Sequence, residues 1–281
     1  MYDDEIKKFS PFTIADAIRI AEGLVPEHLR NNPWTILNHG RKVLSTEDEL
    51  NCYMAAYGEM HRVKAFHAID KFPFQQIGES VEIIDYGCGQ GLASQCFVER
   101  MRERKCLHML RKITMIEPSE AALHRAEINL RQTLKDKSNC EIVKILKYLP
   151  SSSPSDNEIK HLDINCPIVV HLFSNVLDIA TIELKKTASL IASSGNKHYV
   201  LCFGPANCEE YRINAFIQYF SPGYINVFFR YREPIIWKIK EWQIVRLLGL
   251  LFLFYKNTRQ TRSHPLLFLC AQTDVCCLQT R

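Results

Sequence analysis

The sequence predicts an α/β protein in which a central, mostly parallel sheet is flanked by helices and preceded by an N-terminal helical segment. Two observations lead to this fold class. Short apolar strands alternate with helical segments through the middle of the chain, and a glycine-rich turn joins the first strand to the helix after it. A chain of 281 residues has room for one such core and a smaller accessory segment.

Residues 1–75 have the apolar periodicity of helices and are expected to form the accessory segment. Thr13 and Asp16 have the spacing of a capping box, and Ser45 and Asp48 repeat that spacing before a longer helix. We therefore predict that one helix begins just after Thr13 and another just after Ser45.

From residue 76 onward the pattern becomes that of a main domain, which we place at 76–255. Its predicted strands are 81–86, 113–116, 141–146, 168–173 and 198–203, and its predicted helices are 92–104, 119–135 and 181–192. This alternation indicates parallel pairing. The chain after 203 is less regular: 224–231 is predicted as an edge strand, 243–255 as a strand or a helix, and 256–281 as an irregular tail.

The first strand runs into Asp85-Tyr86-Gly87-Cys88-Gly89-Gln90-Gly91 and then into a helix. Glycine adopts positive φ and lets a ligand approach the backbone, while the start of a helix offers unpaired N–H groups to an anion or polar ligand. The second strand ends at Glu117, where a carboxylate can accept hydrogen bonds from ribose hydroxyls. Together these features predict a nucleoside-type cofactor site. The alternatives are a plain strand-to-helix turn and a dinucleotide site, although Leu92 replaces the third glycine of a dinucleotide pattern.

This combination resembles the class I, Rossmann-like, S-adenosylmethionine-dependent methyltransferases over residues 80–205. The resemblance implies S-adenosyl-L-methionine as the cofactor, and it implies as cofactor-binding residues Asp85, Gly87, Cys88, Gly89, Gly91, Glu117 and Pro118. It further implies a seven-stranded sheet with one antiparallel strand, whose last hairpin would follow Gly204. Family members often carry a carboxylate for adenine after strand three. Here no carboxylate lies between the third predicted strand and Asp156, so the adenine contacts stay unassigned.

The fourth strand leads into Ser174 and Asn175, which we expect to face the reactive end of the cofactor, because ligands of open α/β sheets bind beyond the carboxyl ends of strands. The motif Asn-Pro-Pro-Tyr or Asp-Pro-Pro-Tyr, which in this family accompanies methylation of base or glutamine nitrogens, is absent at 171–178. Asp178 is expected to cap the next helix.

Methyl transfer from a sulfonium depends mostly on placing the acceptor, because the leaving group departs neutral. The candidates for a catalytic base are His61 and His171, and a purely structural histidine is the alternative for His171. Tyr57, His61 and Lys64 fall on one helical stripe. Either this helix is a lid over the cofactor, or it is an amphipathic face packed on the sheet with Lys64 snorkelling outward.

Composition limits the partners. The net charge of +4 neither requires nor excludes an acidic partner. The 11 cysteines form no CxxC pair, so we expect no metal site. The apolar run 247–255 is too short for a membrane span, and the first twenty residues have no apolar signal segment. We therefore expect a cytoplasmic protein without a membrane partner.

The methyl acceptor stays open among small molecules, proteins and RNA. The basic stretches 100–105 and 230–232 motivate RNA, but mixed charges are also typical of a solvated helix face. The first hypothesis is an active methyltransferase. A catalytically inactive methyltransferase-like binding or scaffold protein and a nicotinamide-dependent oxidoreductase are the alternatives.

Overall fold

A computed structural model describes residues 2–31, 33–137, 139–153, 155–191, 197–205, 211–220, 225–231, 234–235 and 271–280. The predicted element at 243–255 lies outside these residues. Within them, no helix is both long enough and apolar enough to cross a membrane.

The N-terminal segment is helical, as the sequence predicts. Its helices are α1 (Tyr2–Ile6), α2 (Ile14–Leu24), α3 (Glu27–Arg30), α4 (Pro33–Ile36) and α5 (Glu47–Ile69). Thr13 forms the predicted capping box at the start of α2. The predicted cap of α5 is wrong by one residue. Thr46 accepts the hydrogen bond from the N–H of Glu49, while Ser45 lies outside the helix and donates its N–H and hydroxyl to the Glu49 carboxylate.

The rest of the described chain is a sheet with helices packed on it. The strands are β1 (Val81–Tyr86), β2 (Leu110–Ile116), β3 (Glu141–Ile145), β4 (Ile168–Ser174), β5 (Lys197–Pro205), β6 (Ile225–Tyr231), β7 (Pro234–Ile235) and β8 (Ala271–Thr280). The helices are α6 (Leu92–Glu103), α7 (Glu120–Thr133), α8 (Leu184–Ile191) and α9 (Tyr211–Gln218). The strand order is β3-β2-β1-β4-β5-β8-β6, and the short β7 pairs with β8.

The pairing confirms the predicted fold class. Strands β1 to β5 pair in parallel, and β8 is antiparallel to both β5 and β6. Among the described residues, this order of neighbouring strands thus contains seven strands, and one of them, β8, is antiparallel, as the resemblance implied. The prediction of an irregular tail is wrong for Ala271–Thr280, because this segment receives its hydrogen bonds from two partner strands that local sequence does not reveal.

The two faces of the sheet build two hydrophobic cores, because successive side chains of a strand point to opposite faces. On one face Ile83 and Val170 pack with residues of α1, α2, α5, α6 and α7. On the other face Ile84 and Val169 pack with residues of α8 and α9. The N-terminal helices therefore share a core with the sheet.

Candidate functional site

The loop between β1 and α6 has a left-handed backbone at each of its three glycines. The φ angle is +61° at Gly87, +52° at Gly89 and +79° at Gly91, a region that residues with a Cβ rarely adopt. Two backbone hydrogen bonds hold this shape. The Cys88 N–H donates to the carbonyl of Ile116 at 3.1 Å, and the Gly91 N–H donates to the carbonyl of Cys88 at 2.8 Å.

The three glycines differ in what lies in front of them. A Cβ at Gly87 would lie 2.7 Å from Val176 Cγ2, and a Cβ at Gly91 would lie 3.1 Å from Ala126 Cβ. At Gly89 no heavy atom of the described chain, apart from those of Gly89 and its two neighbours in sequence, lies within 4 Å of the Cβ position. Gly89 therefore presents bare backbone to open space, which is the geometry of a ligand cradle.

This open space belongs to a cavity of about 330 Å³ at the carboxyl edge of the parallel strands. The predicted residues in its lining are Gly87, Gly89, Glu117, Pro118, Ser174 and Asn175. Other predicted site residues stand outside the lining, namely Asp85, Cys88, Gly91, His61 and His171. The structure thus brings together the ends of β1, β2 and β4, where sequence reasoning placed the cofactor.

Glu117 joins the tip of β2 to the glycine loop. Its Oε2 accepts a hydrogen bond from the Gly89 N–H at 2.9 Å, and its Oε1 accepts one from the Ser119 N–H at 3.0 Å. Burial raises the pKa of Glu117 to about 7, with a smaller contribution in the same direction from the charge of Asp85, against the lowering effect of the two hydrogen bonds. The carboxyl group that lines the cavity is therefore held rigidly.

Asp85 lies beneath the loop. Its Oδ2 accepts hydrogen bonds from the N–H of Ser94 at 3.2 Å and from the Ser94 hydroxyl at 2.7 Å. Burial raises the pKa of Asp85 to about 6. Cys88 is also buried, and burial raises the pKa of its thiol. Asp85 thus ties β1 to the first turn of α6 and sets the position of the loop between them.

Ser174 and Asn175 form the cavity wall at the end of β4. Asn175 has a φ of +53°, and its N–H donates to the carbonyl of Phe203 at 2.8 Å. Its side-chain Nδ2 donates to Ser174 Oγ at 3.1 Å, and its Oδ1 accepts from Lys64 Nζ at 2.6 Å. Hydrogen bonds with β5, with the neighbouring Ser174 and with α5 thus fix the position of Asn175.

The contact with Asn175 corrects one sequence interpretation. Lys64 does not snorkel outward, because its side chain is 1% exposed and ends inside the protein at the wall of the cavity. Helical spacing places Lys64 on the same stripe as Tyr57, but spacing alone does not tell which residue lies opposite. That partner is 111 positions away in the sequence.

An aromatic row on α5 leads into the cavity, and sequence reasoning recognised only part of it. Tyr53, which was missed, lines the cavity and lies with its ring centroid 5.1 Å from that of Tyr57. Tyr57 in turn stacks on His61 at 5.9 Å. Burial, with a smaller contribution from the charge of Lys64, lowers the pKa of His61 well below its usual value. The i, i+4 spacing of Tyr53, Tyr57 and His61 was the signal that could have revealed the row.

His171 lies away from the cavity. Its Nδ1 is 2.8 Å from the hydroxyl of Tyr86, and its Nε2 is 2.8 Å from Nδ1 of His198. The side chain is fully buried in the sheet, and burial, with His198 beside it, lowers its pKa. Both ring nitrogens are therefore engaged in a buried hydrogen-bonded chain.

Further cavity residues were missed because they come from segments without a recognisable motif. They include the turn 40–44, Gln90 and Tyr148. Gln90 Nε2 donates to the carbonyl of Leu50 at 3.0 Å and so joins the glycine loop to α5. Tyr148 stands just after β3, in the region where the expected carboxylate is absent. Among the described residues, no group of three or more His, Cys, Asp or Glu side chains is arranged to hold a metal ion.

Comparison with known proteins finds similar solved structures and no matching sequence. No family model matches the chain, and no curated protein matches it. The plantazolicin methyltransferase BpumL in complex with SAH is 13% identical, with 95% of this chain and 99% of that chain covered and a TM-score of 0.45. Magnesium protoporphyrin IX methyltransferase (ChlM) from Synechocystis PCC 6803 with bound SAM is 9% identical, with 92% and 96% covered and a TM-score of 0.41.

A third similar structure is a putative RNA methyltransferase from Pyrococcus horikoshii. It is 13% identical, with 79% of this chain and 85% of that chain covered and a TM-score of 0.41. At these identities and TM-scores the three structures are reported as similarities alone, and they identify no acceptor for this chain.

Proposed function

We propose that this protein is an S-adenosylmethionine-dependent methyltransferase. The observation that carries the proposal is the pairing of Gly89 with Glu117. Gly89 offers bare backbone to open space, and the buried carboxyl group of Glu117 is hydrogen-bonded to that same glycine and lines the same cavity. A nucleoside with a slender sulfonium tail suits this arrangement, because its ribose hydroxyls donate to a carboxylate and its tail can approach the glycine backbone.

The residues present fit this cofactor. Each oxygen of Glu117 accepts one backbone hydrogen bond and keeps capacity for a ribose hydroxyl. Ser174 and Asn175 would border the reactive end, and the ring of Tyr148, which is 44% exposed, would offer an apolar face to adenine in place of the missing carboxylate. When bound, S-adenosylmethionine supplies a methyl group activated by the sulfonium.

The chain itself would contribute mainly orientation, through the rigid loop and the fixed end of β4. Of the two histidines that the sequence nominates, we propose His61 as the base. It belongs to the aromatic row whose Tyr53 lines the cavity, and its lowered pKa keeps it neutral at neutral pH, so one ring nitrogen carries no proton. His171 has no such freedom, because both of its ring nitrogens are bonded inside the sheet.

The binding test is calorimetry with S-adenosylhomocysteine on matched variants. Gly89→Arg fills the open space and Glu117→Ala removes the ribose acceptor, so each is expected to weaken binding about ten-fold or more. Gly23→Ala is the control, because a Cβ at this position of α2 meets nothing within 4 Å in the described chain. Wild-type affinity in folded Gly89→Arg and Glu117→Ala proteins would refute the site.

The acceptor can be sought with methyl-labelled cofactor and fractionated cell extract, asking whether small molecules, proteins or RNA take up label. The structure gives little support to the RNA hypothesis at 100–105. Arg100 pairs with Asp70 and Glu103, and Arg102 pairs with Asp136. These ion pairs are typical of a solvated helix surface. If the protein does not retard RNA in a gel-shift assay even at low salt, RNA is removed from the candidates.

A second candidate is a binding or scaffold protein that keeps the fold without transfer. The absence of a carboxylate after β3 favours it. Such a protein would label no fraction of the extract, whether or not it bound S-adenosylhomocysteine. An oxidoreductase would instead change the fluorescence of NADH on binding.

A further inference from the structure

A buried cation, the ammonium group of Lys64, lies beside the cavity. The side chain of Lys64 is 1% exposed, and its Nζ lies 2.6 Å from Oδ1 of Asn175. Asn175 is itself part of the cavity wall. The ammonium group therefore lies one hydrogen bond behind the wall of the cofactor site, on the side where β4 ends.

A second buried lysine shows how this protein neutralises such a charge when the role is structural. Lys112 Nζ donates to the carbonyl of Asp163 at 2.7 Å and lies 3.3 Å from Oε1 of the fully buried Glu82. Lys112 thus has a carboxylate in direct contact. Buried charges are stable in proteins when an opposite charge and further hydrogen bonds compensate them.

The described residues place no carboxylate in such direct contact with Lys64. In the part of the chain that the structure describes, no carboxylate oxygen forms an ion pair with its Nζ within 4.0 Å, and the bonded partner is a neutral amide. Burial lowers the pKa of Lys64 to about 8, and the charge of the Asp178 carboxyl group acts in the opposite direction. An ammonium group has three N–H donors, of which Asn175 accepts one.

We propose that the charge of Lys64, acting from behind the cavity wall through Asn175, attracts the carboxylate of the amino-acid part of the cofactor. This inference rests on the proposed function and extends it to the residue that anchors the far end of the ligand. The carboxylate would bring a negative charge to the cavity side of Asn175, whose side chain holds the ammonium group on the other side. Lys64 would then act on the ligand through Asn175, which gives the accessory helix a role in binding.

Two other cations line the cavity and are the competing anchors. Arg41 is exposed, and Lys42 is paired with Glu49 at 2.6 Å. Because an exposed cation keeps its water, it gains less from a ligand carboxylate than a buried one. The test therefore includes Arg41→Met beside the Lys64 variants.

The experiment compares S-adenosylhomocysteine with its decarboxylated analogue, which keeps the adenosine, the thioether and the amine. The wild-type protein is expected to prefer S-adenosylhomocysteine about ten-fold or more in calorimetry. Lys64→Met is expected to bind both molecules equally, at the affinity that the wild type shows for the analogue. Arg41→Met is expected to keep the preference.

The outcomes are distinguishable. An unchanged preference in Lys64→Met, or a preference lost in Arg41→Met instead, overturns the inference while the cofactor site stands. Failure of the wild type to bind either molecule overturns the proposed function itself. Lys64→Met replaces a buried charge by an apolar chain of similar length and is expected to fold. Thermal unfolding checks this, and Lys64→Gln, which keeps a donor without the charge, provides the second variant and should also lose the preference.

Discussion

The carboxylate of Glu117 accepts a hydrogen bond from the N–H of Gly89 at 2.9 Å and thereby links the tip of β2 to the loop after β1. Its other oxygen accepts from the N–H of Ser119. One side chain therefore lines the cavity and also holds the glycine loop in place. A change at Glu117 should affect both the loop and the ligand.

The first prediction concerns Glu117→Gln. A carboxamide has one acceptor oxygen, so its NH₂ group must face either the Gly89 N–H or the Ser119 N–H, both of which are donors. We expect a loss of about 1–3 kcal/mol in the free energy of unfolding. Affinity for S-adenosylhomocysteine should fall about ten-fold or more. Denaturant unfolding and calorimetry measure the two effects, and the exposed Glu120→Gln should show neither. Full retention of both properties would contradict the dual role of Glu117.

The second prediction concerns pH. Burial raises the pKa of Glu117 from its usual value of 4.5 to about 7, so the ionised fraction falls as the pH drops through 7. The protonated form accepts hydrogen bonds less well, and affinity should therefore be lower at pH 6 than at pH 8, by up to about ten-fold. The Asp85 charge contributes to this pKa, while Tyr53 stays neutral because burial raises its own pKa. Lys64, whose pKa burial lowers to about 8, loses charge over the same interval, so calorimetry at the two pH values is done in a Lys64→Met background, where Glu117→Gln should remove the dependence.

The third prediction separates backbone strain from steric clash in the loop. Both Gly87→Ala and Gly89→Ala place a Cβ on a left-handed residue, which costs about 1–2 kcal/mol. Only at Gly87 does the new Cβ also meet Val176, at 2.7 Å from its Cγ2. Gly87→Ala should therefore destabilise the protein more than Gly89→Ala does.

A double-mutant cycle on the free energy of unfolding identifies the cause. In a Val176→Ala background, which removes the clashing methyl group, the excess cost of Gly87→Ala should disappear. An excess that persists in this background would show that the clash is not its source.

The fourth prediction concerns His171→Leu. The change removes the hydrogen bonds to Tyr86 and His198 and should cost about 2–3 kcal/mol of unfolding free energy. Because His171 is outside the cavity lining, the affinity of the folded variant for S-adenosylhomocysteine should equal that of the wild type. A preserved stability with lost affinity would instead place His171 in the site.

The sequence predicts the parts of the fold and site that depend on short, local patterns. The strand–glycine–helix unit around Gly89 and the position of Glu117 at the end of β2 are of this kind, because one turn and one strand end define them. Lys64 and Tyr53 differ, since their roles depend on which strand ends the long helix α5 lies against. That packing is a tertiary property, and helical spacing restricts it only to one stripe.

The same distinction explains the errors elsewhere. Ser45 and Thr46 are both good caps, and the choice between them follows from the side chain of Glu49. The strand Ala271–Thr280 has polar residues and no clear alternation, so its conformation comes from its two neighbouring strands. Local sequence carries no information about those neighbours.

The position of β8 between β5 and β6 has a consequence for biosynthesis. A ribosome delivers β1 to β6 first, and the parallel strands β1 to β5 can associate as they emerge. In the final order β6 pairs with β8 and not with β5, so it cannot take its place until residues 271–280 have been translated. During that interval β8 does not yet cover the hydrogen-bonding edge of β5, and an uncovered edge strand is a template for pairing with other chains.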